Sequence, residues 1–167
     1  CALPIWASSA NVIEQFHGLP FQPAFARIKE TVEIINLLLR GDKLVYDGKW
    51  FQMNKGFTLR MEPVRKHIPI FIASLNAKST KQTAEIADGW LPVWIPISAL
   101  KSEIDQFRAW ANEAGREGSK LEVKAPGTVI VTDNPEAVRD STRPNTAYYI
   151  ARMGDFYYRH ISRLGFA

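Results

Sequence analysis

Three short apolar runs alternate with helical segments in the later part of the chain, and this alternation constrains the fold most. The runs Ile68–Ala73 and Gly89–Ile95 lack the two-residue alternation of strands that face water on one side. Leu121–Thr132 is the third predicted strand, with Pro126-Gly127 as an irregularity near its middle. Residues 79–87 and 98–115, which separate them, have helical periodicity. Strands buried on both faces and joined through helices are typical of a parallel sheet, so the sequence predicts an α/β fold.

The residues before these runs predict one helix and one hairpin. Apolar side chains at steps of three and four indicate an amphipathic helix over Pro23–Leu39. The segment Leu44–Phe51 holds two runs of β-forming residues around an Asp-Gly pair, which suits a tight turn. We therefore expect a β-hairpin at 44–51.

The later helices carry start signals. Ser98 is expected to cap the second of the separating helices. Asp133–Glu136 combines a cap residue, a proline and an acidic residue, which is typical of a helix start. Residues 145–164 continue in a helical, aromatic-rich pattern. Three strands are too few for a closed eight-stranded barrel, but they would serve as its second half.

Composition and charge exclude several classes of protein. The chain has 167 residues, of which 46% are hydrophobic and 23% charged, and no apolar run approaches the roughly 20 residues of a membrane span. The net charge of +4 is spread among acidic residues, so neither a nucleic acid nor a membrane is an expected partner. The single cysteine, Cys1, suits a reducing cytoplasm, where we expect the protein. The missing initiator methionine and the abrupt end indicate a piece of a longer protein.

The loop after the first apolar run is the clearest candidate site. Asn76–Thr80 lie where a strand ends and a helix begins, so unpaired backbone N–H groups and the positive end of the helix dipole meet there. Ser79 or Thr80 can donate a hydroxyl, and Lys78 adds a point charge. This arrangement predicts a phosphate-binding site. The alternative is an ordinary capped helix with a solvated lysine.

A second polar turn lies near the start of the chain. Ser8 or Ser9 would reach a ligand if this turn joined a strand to a helix. Glu14 and His17, three residues apart, could share a ligand, and the alternative is that both are solvated. The three histidines are widely separated, so no metal site is expected. Since no nucleophile elbow, Walker loop or dinucleotide fingerprint occurs, the sequence favours a cofactor that supplies the chemistry itself.

Four segments together resemble the luciferase-like monooxygenase superfamily, most closely its branch of oxidoreductases that depend on the deazaflavin coenzyme F420. They follow the family's order and cover nearly the whole chain from Ser8: SSANVIEQFHGLPF, FARIKETVEIINLLLRGDKLVYDGKWFQM, IPIFIASLNAKSTKQTAEIADGWLPVWI and TVIVTDNPEAVRDSTRPNTAYYIARMGDFYYRHISRLGF. The resemblance implies a (β/α)8 TIM barrel with an inserted β-hairpin. Residues 1–167 would form one partial domain, the C-terminal half of the barrel, with the N-terminal half missing and a truncation at the C-terminus.

The resemblance also implies a function and a set of cofactor contacts. The function is F420-dependent hydride transfer to or from a small organic substrate. The implied contacts are Ser8, Ser9, Ser74, Leu75, Asn76, Ala77, Lys78 and Ser79. The catalytic residues are expected in the missing half, so none is assigned.

Two alternatives stay open. One is an FMN-dependent monooxygenase that uses reduced flavin and oxygen. The other is a noncatalytic half barrel, whose exposed strand edges and core would favour a homodimer. The chain also departs from the family pattern, with Ser8-Ser9-Ala10 for Ser-Gly-Pro and Asn76-Ala77-Lys78 for Gly-Pro-Lys. The lost glycine narrows the backbone freedom of the second loop.

Overall fold

The computed structural model describes residues 3–5, 10, 12–125 and 127–166, and it contains two sheets. The strands are β1 (Leu3–Ile5), β2 (Tyr46–Asp47), β3 (Gln52–Met53), β4 (Ile70–Ala73), β5 (Gly89–Leu91) and β6 (Glu122–Val123). The helices are α1 (Ala24–Leu39), α2 (Ala77–Ile86), α3 (Ile97–Glu113), α4 (Pro135–Arg152) and α5 (Asp155–Arg163). A π-helical turn at Val12–Phe16 and a 3-10 turn at Gly118–Lys120 complete the elements of the described residues.

The larger sheet is parallel throughout, in the order β1-β4-β5-β6. Phe71 in β4 lies opposite Gly89 in β5, and Trp90 lies opposite Val123 in β6. Helices connect β4 to β5 and β5 to β6. The α/β class predicted from the sequence is therefore confirmed, and β1 adds a strand to the three that the apolar runs predict.

Two apolar clusters pack the helices on the sheet. Trp90 in β5 packs with Phe107 and Ala111 of α3, and all three are fully buried. In the second cluster, Val32 of α1 packs with Ile70 and Ile72 of β4. Burying such side chains contributes about 1.5–3 kcal/mol each, so these contacts fix the sheet and its helices relative to one another.

The starts of β4 and β5 are joined by one carboxylate. Asp88 accepts a hydrogen bond from the N–H of Ile70 at 2.8 Å and lies 3.0 Å from Nε2 of His67. The next residue, Gly89, lies directly under the Phe71 ring, where a β-carbon would clash. The Asp-Gly pair therefore organises the amino ends of the strands, and the polar loops lie at their carboxyl ends.

The antiparallel pair of β2 and β3 lies against α1 through a buried carboxylate. Glu30 is 9% exposed and accepts hydrogen bonds from the N–H groups of Lys49, Trp50 and Phe51, the shortest at 2.9 Å. The predicted hairpin covered 44–51, whereas the second strand of the pair is residues 52–53.

Two local predictions were wrong. The run Leu121–Thr132 forms a strand only at Glu122–Val123, and Val129 and Val131 are more than nine-tenths exposed. Branched residues favour strands because of their neighbours, and no strand pairs with residues 127–132 among those described. Ser98 lies inside α3, whose cap position is Pro96. By contrast, the predicted start of α4 is confirmed, with Asn134 accepting from the N–H of Ala137 at 3.1 Å.

Candidate functional site

A cavity of about 260 Å³ opens beside the carboxyl end of β4. Its walls come from the segment before α1, from α1, from the loop between β4 and α2, and from α5. Most of the lining is apolar or aromatic, and includes Phe21, Phe25, Leu75, Val93, Phe156 and Tyr157. Ligands of parallel α/β folds bind at this end of the strands, and flat apolar walls suit a planar ring.

One edge of the cavity is the amino end of α2. Asn76 caps the helix, since its Oδ1 accepts from the N–H of Ser79 at 2.9 Å. The Ser79 hydroxyl in turn donates to the backbone carbonyl of Asn76 at 2.9 Å. The first-turn N–H groups of Ala77 and Lys78 have no acceptor among the described residues. These two N–H groups and the Asn76 side-chain amide are therefore the donors that this helix end offers to an anion.

The Ser74 hydroxyl points into a small buried cluster of hydroxyl groups. It lies 3.2 Å from the Thr80 hydroxyl and 3.1 Å from that of Thr83. The Ser74 carbonyl accepts from the indole N–H of Trp90 at 3.0 Å. Ser74 is 5% exposed, so these contacts fix the loop at the point where it leaves β4.

The ammonium group of Lys78 is the cation nearest to this edge. Its Nζ lies 5.8 Å from the centre of the Phe25 ring, which forms part of the cavity wall. No carboxylate pairs with Lys78 among the described residues, whereas Lys81, one turn further along α2, lies 3.1 Å from Glu113. Lys78 therefore keeps its charge available at the mouth of the cavity.

Helix α5 forms the opposite wall. Phe156 approaches Phe21 with ring centres 6.1 Å apart, and Tyr157 packs edge-on against Tyr149 at 5.3 Å. Burial raises the pKa of the Tyr157 hydroxyl, with the neighbouring Tyr149 acting in the same direction. Tyr157 therefore remains a neutral hydrogen-bonding group at the cavity wall at ordinary pH.

His160, one turn after Phe156 on α5, is buried with both ring nitrogens unpaired among the described residues. Burial lowers the pKa of this imidazole below 6.5, and the Arg163 charge adds to the effect. Glu103 and the backbone of Leu75 and Trp94 act in the opposite direction. The imidazole is therefore neutral at pH 7.

The structure brings some of the predicted cofactor contacts together at the cavity. Ser74, Leu75, Asn76 and Ser79 line the cavity. Ala77 and Lys78 form the adjoining first turn of α2, and Ser8 and Ser9 lie outside the described residues. Glu14 and His17 have separate contacts, with the Phe21 N–H at 3.3 Å and the Phe16 ring.

Sequence reasoning missed the α5 wall and the contribution of Phe21. The spacing of Phe156, Tyr157 and His160 at three and four residues was the available signal, but it could not show which element that face covers. Within the described residues, no cluster of three or more His, Cys, Asp or Glu side chains could hold a metal ion, and no helix is long and apolar enough to cross a membrane.

Residues 1–166 match the family model described as luciferase-like monooxygenase. A protein of Mycobacterium tuberculosis, provisionally named a coenzyme F420-dependent oxidoreductase, is 25% identical over 169 residues, covering 91% of this chain and 48% of that protein. The chain thus spans about half the length of this curated relative.

Two solved structures have the same fold. The coenzyme F420-dependent tetrahydromethanopterin reductase of Methanopyrus kandleri superposes with a TM-score of 0.77 at 19% identity, over 92% of this chain and 48% of that one. An F420-dependent secondary alcohol dehydrogenase, solved with an F420-acetone adduct, gives a TM-score of 0.64 at 25% identity, over 74% of this chain and 38% of that one.

Proposed function

The chain belongs to the luciferase-like monooxygenase family, and from that premise we propose that it is the cofactor-binding part of an F420-dependent oxidoreductase. The observation that carries the proposal is the cavity at the end of β4, which combines apolar walls with the exposed amino end of α2. The names of the relatives support the same cofactor. When bound, F420 would supply the hydride chemistry.

The residues present fit a planar ring with an anionic tail. Phe25 and Phe156 offer flat aromatic faces and Leu75 an aliphatic contact for a ring. The N–H groups of Ala77 and Lys78, with the Lys78 ammonium, would bind a phosphate. A volume of about 260 Å³ is smaller than most complete ligand sites, which span roughly 300–1,000 Å³. The cavity therefore accommodates part of the cofactor, and other residues of the full-length protein would complete the site.

The roles of the individual residues follow from their contacts. Asn76 and Ser79 hold the first turn of α2 in place, so that its N–H groups point out of the helix end. Ser74 anchors the loop to the sheet through Thr83 and Trp90. Leu75 and the α5 side chains exclude water from the ring. The substrate is a small organic molecule, and its proton-transfer partners belong to the other half of the barrel. We propose the C-terminal half of a TIM barrel for this chain.

The phosphate contact is tested by Lys78→Ala in the full-length protein. Loss of one charge-assisted contact should weaken F420 binding by about 1–3 kcal/mol, or roughly 5- to 150-fold, measured by spectroscopic titration. Lys81→Ala is the matched control, because Lys81 lies on the same helix but pairs with Glu113. Unchanged affinity in Lys78→Ala, or an equal loss in the control, would contradict the proposed contact.

A further inference from the structure

The end of α5 contains buried polar atoms for which the described residues provide no hydrogen bond within ordinary distance and angle limits. His160 is 4% exposed, and neither ring nitrogen has a hydrogen-bonding partner among the described residues. The hydroxyl of Ser162, two residues later, is also buried and unpaired. A buried polar group without a partner destabilises the folded state, so several such atoms at the end of one helix call for an explanation.

The surroundings of His160 connect two loops of the candidate site. Its ring lies near the backbone of Leu75, in the loop after β4, and of Trp94, in the loop after β5. Trp94 has a φ of +55°, a left-handed conformation that side chains other than glycine rarely adopt. This backbone conformation is unfavourable, so the contacts around Trp94 must offset its strain.

The same helix supplies the cavity wall. Phe156 and Tyr157 line the cavity and lie one turn before His160, and Leu75 lines it from the other side. The position of the His160 ring therefore determines how closely α5 approaches the loop after β4. From this geometry we infer that His160 is a positioning residue whose neutral imidazole keeps α5 packed against the loops at the strand ends. Protonation of the ring would release the helix from this packed position.

The charges around the ring set the direction of the effect. Arg163 follows on the same helix and opposes a positive charge, while Glu103 of α3 favours one. Glu103 is already engaged, since its two oxygens bind the guanidinium of Arg163 at 2.8 and 3.0 Å. A protonated His160 would therefore be a buried cation without a free carboxylate partner among the described residues.

The sign of the pH dependence follows from linkage. The pKa of His160 is lowered in the folded protein because burial disfavours the charged form. The state in which α5 is unfolded or released therefore binds more protons. The form with α5 packed is then fully favoured above pH 6.5, the ordinary pKa of a histidine side chain. The packed form loses stability as the pH falls from 6.5 through the lowered pKa. The equilibrium between packed and released α5 shifts by up to about tenfold per pH unit in this range.

The first test needs no cofactor. Histidine ring signals of the full-length protein, followed by NMR between pH 5 and 8, should show the His160 ring titrating below 6.5. In parallel, amide exchange of residues 155–166, corrected for the intrinsic pH effect, should accelerate about tenfold between pH 7 and 5.5. A His160 ring that titrates at or above 6.5 would overturn the inference.

The second test uses His160→Gln with His17→Gln as the control. Glutamine stays neutral throughout, so His160→Gln should abolish the pH response of α5, and His17→Gln should keep it. The link to the cofactor rests on the proposed function: F420 affinity of the wild type should fall about three- to tenfold from pH 7 to 5.5, but not in His160→Gln. A pH response that survives in His160→Gln contradicts the inference. If the variant does not fold, the wild-type titration decides. If F420 does not bind at all, the proposed function fails, but the amide-exchange data still test the role of His160 in positioning α5.

Discussion

Glu30 beneath the β2–β3 pair and His160 in α5 are both buried polar side chains, 9% and 4% exposed, but their surroundings differ. The Glu30 carboxylate accepts hydrogen bonds from three backbone N–H groups, and every one of them joins α1 to the turn between β2 and β3. The His160 ring has no such partner among the described residues. A fully paired buried group stabilises a structure, whereas an unpaired one at the end of the strands favours a role that depends on its protonation state.

The largest expected effect is at the paired site. Glu30→Gln keeps the shape of the side chain but turns one acceptor into a donor that faces backbone N–H groups. We expect the free energy of unfolding to fall by about 2–4 kcal/mol, measured by urea denaturation. Glu113→Gln is the matched control, because Glu113 is a half-exposed partner of Lys81 and should change the free energy by less than about 1 kcal/mol. Equal losses in the two variants would show that the hydrogen bonds of Glu30 stabilise the protein no more than a half-exposed ion pair does.

A smaller loss is expected at Ser74. Its hydroxyl lies within hydrogen-bonding distance of Thr80 and Thr83 in a buried cluster. Ser74→Ala should therefore lower the free energy of unfolding by about 1–2 kcal/mol, because a partner is removed from a buried network. Thermal unfolding would measure the loss, and a variant as stable as the wild type would show that this network does not stabilise the loop.

The smallest expected effect on the free energy of unfolding is at Ser162, where we expect no loss of stability. Its hydroxyl is buried without a partner in the described part of the chain, so Ser162→Ala removes an unsatisfied group instead of a hydrogen bond. We expect a change between zero and a gain of about 1 kcal/mol in the free energy of unfolding. Ser74→Ala and Ser162→Ala make the same chemical change, so a loss at Ser162 as large as that at Ser74 would mean that the two regions do not differ.

The parts of the fold that depend on local pattern could be predicted from the sequence. The helix at 24–39, the strands that begin near Ile70 and Gly89, and the start of α4 at Asn134 follow from periodicity and capping. The strand expected to reach Thr132 could not be judged in this way, because β-branched residues form a strand only where a partner strand is available.

The candidate site was predictable only along one stretch of chain. The predicted junction of a loop and a helix at Asn76–Thr80 is present, but the helix begins at Ala77 instead of residue 79, and Asn76 is its cap. The α5 wall depends on tertiary packing, which brings residues about 80 positions apart, such as Leu75 and Phe156, to one cavity. The spacing of Phe156, Tyr157 and His160 places them on one helix face, but it cannot show that this face is buried.

The most direct test of the central claim is a side-by-side spectroscopic titration of the full-length protein with coenzyme F420 and with FMN. The proposed function predicts saturable binding of F420 and much weaker binding of FMN, and it further predicts that Lys78→Ala weakens the F420 interaction. Tight binding of FMN alone would assign the protein to the oxygen-using branch of the family, and binding of neither would contradict the claim that the cavity beside β4 is a cofactor site.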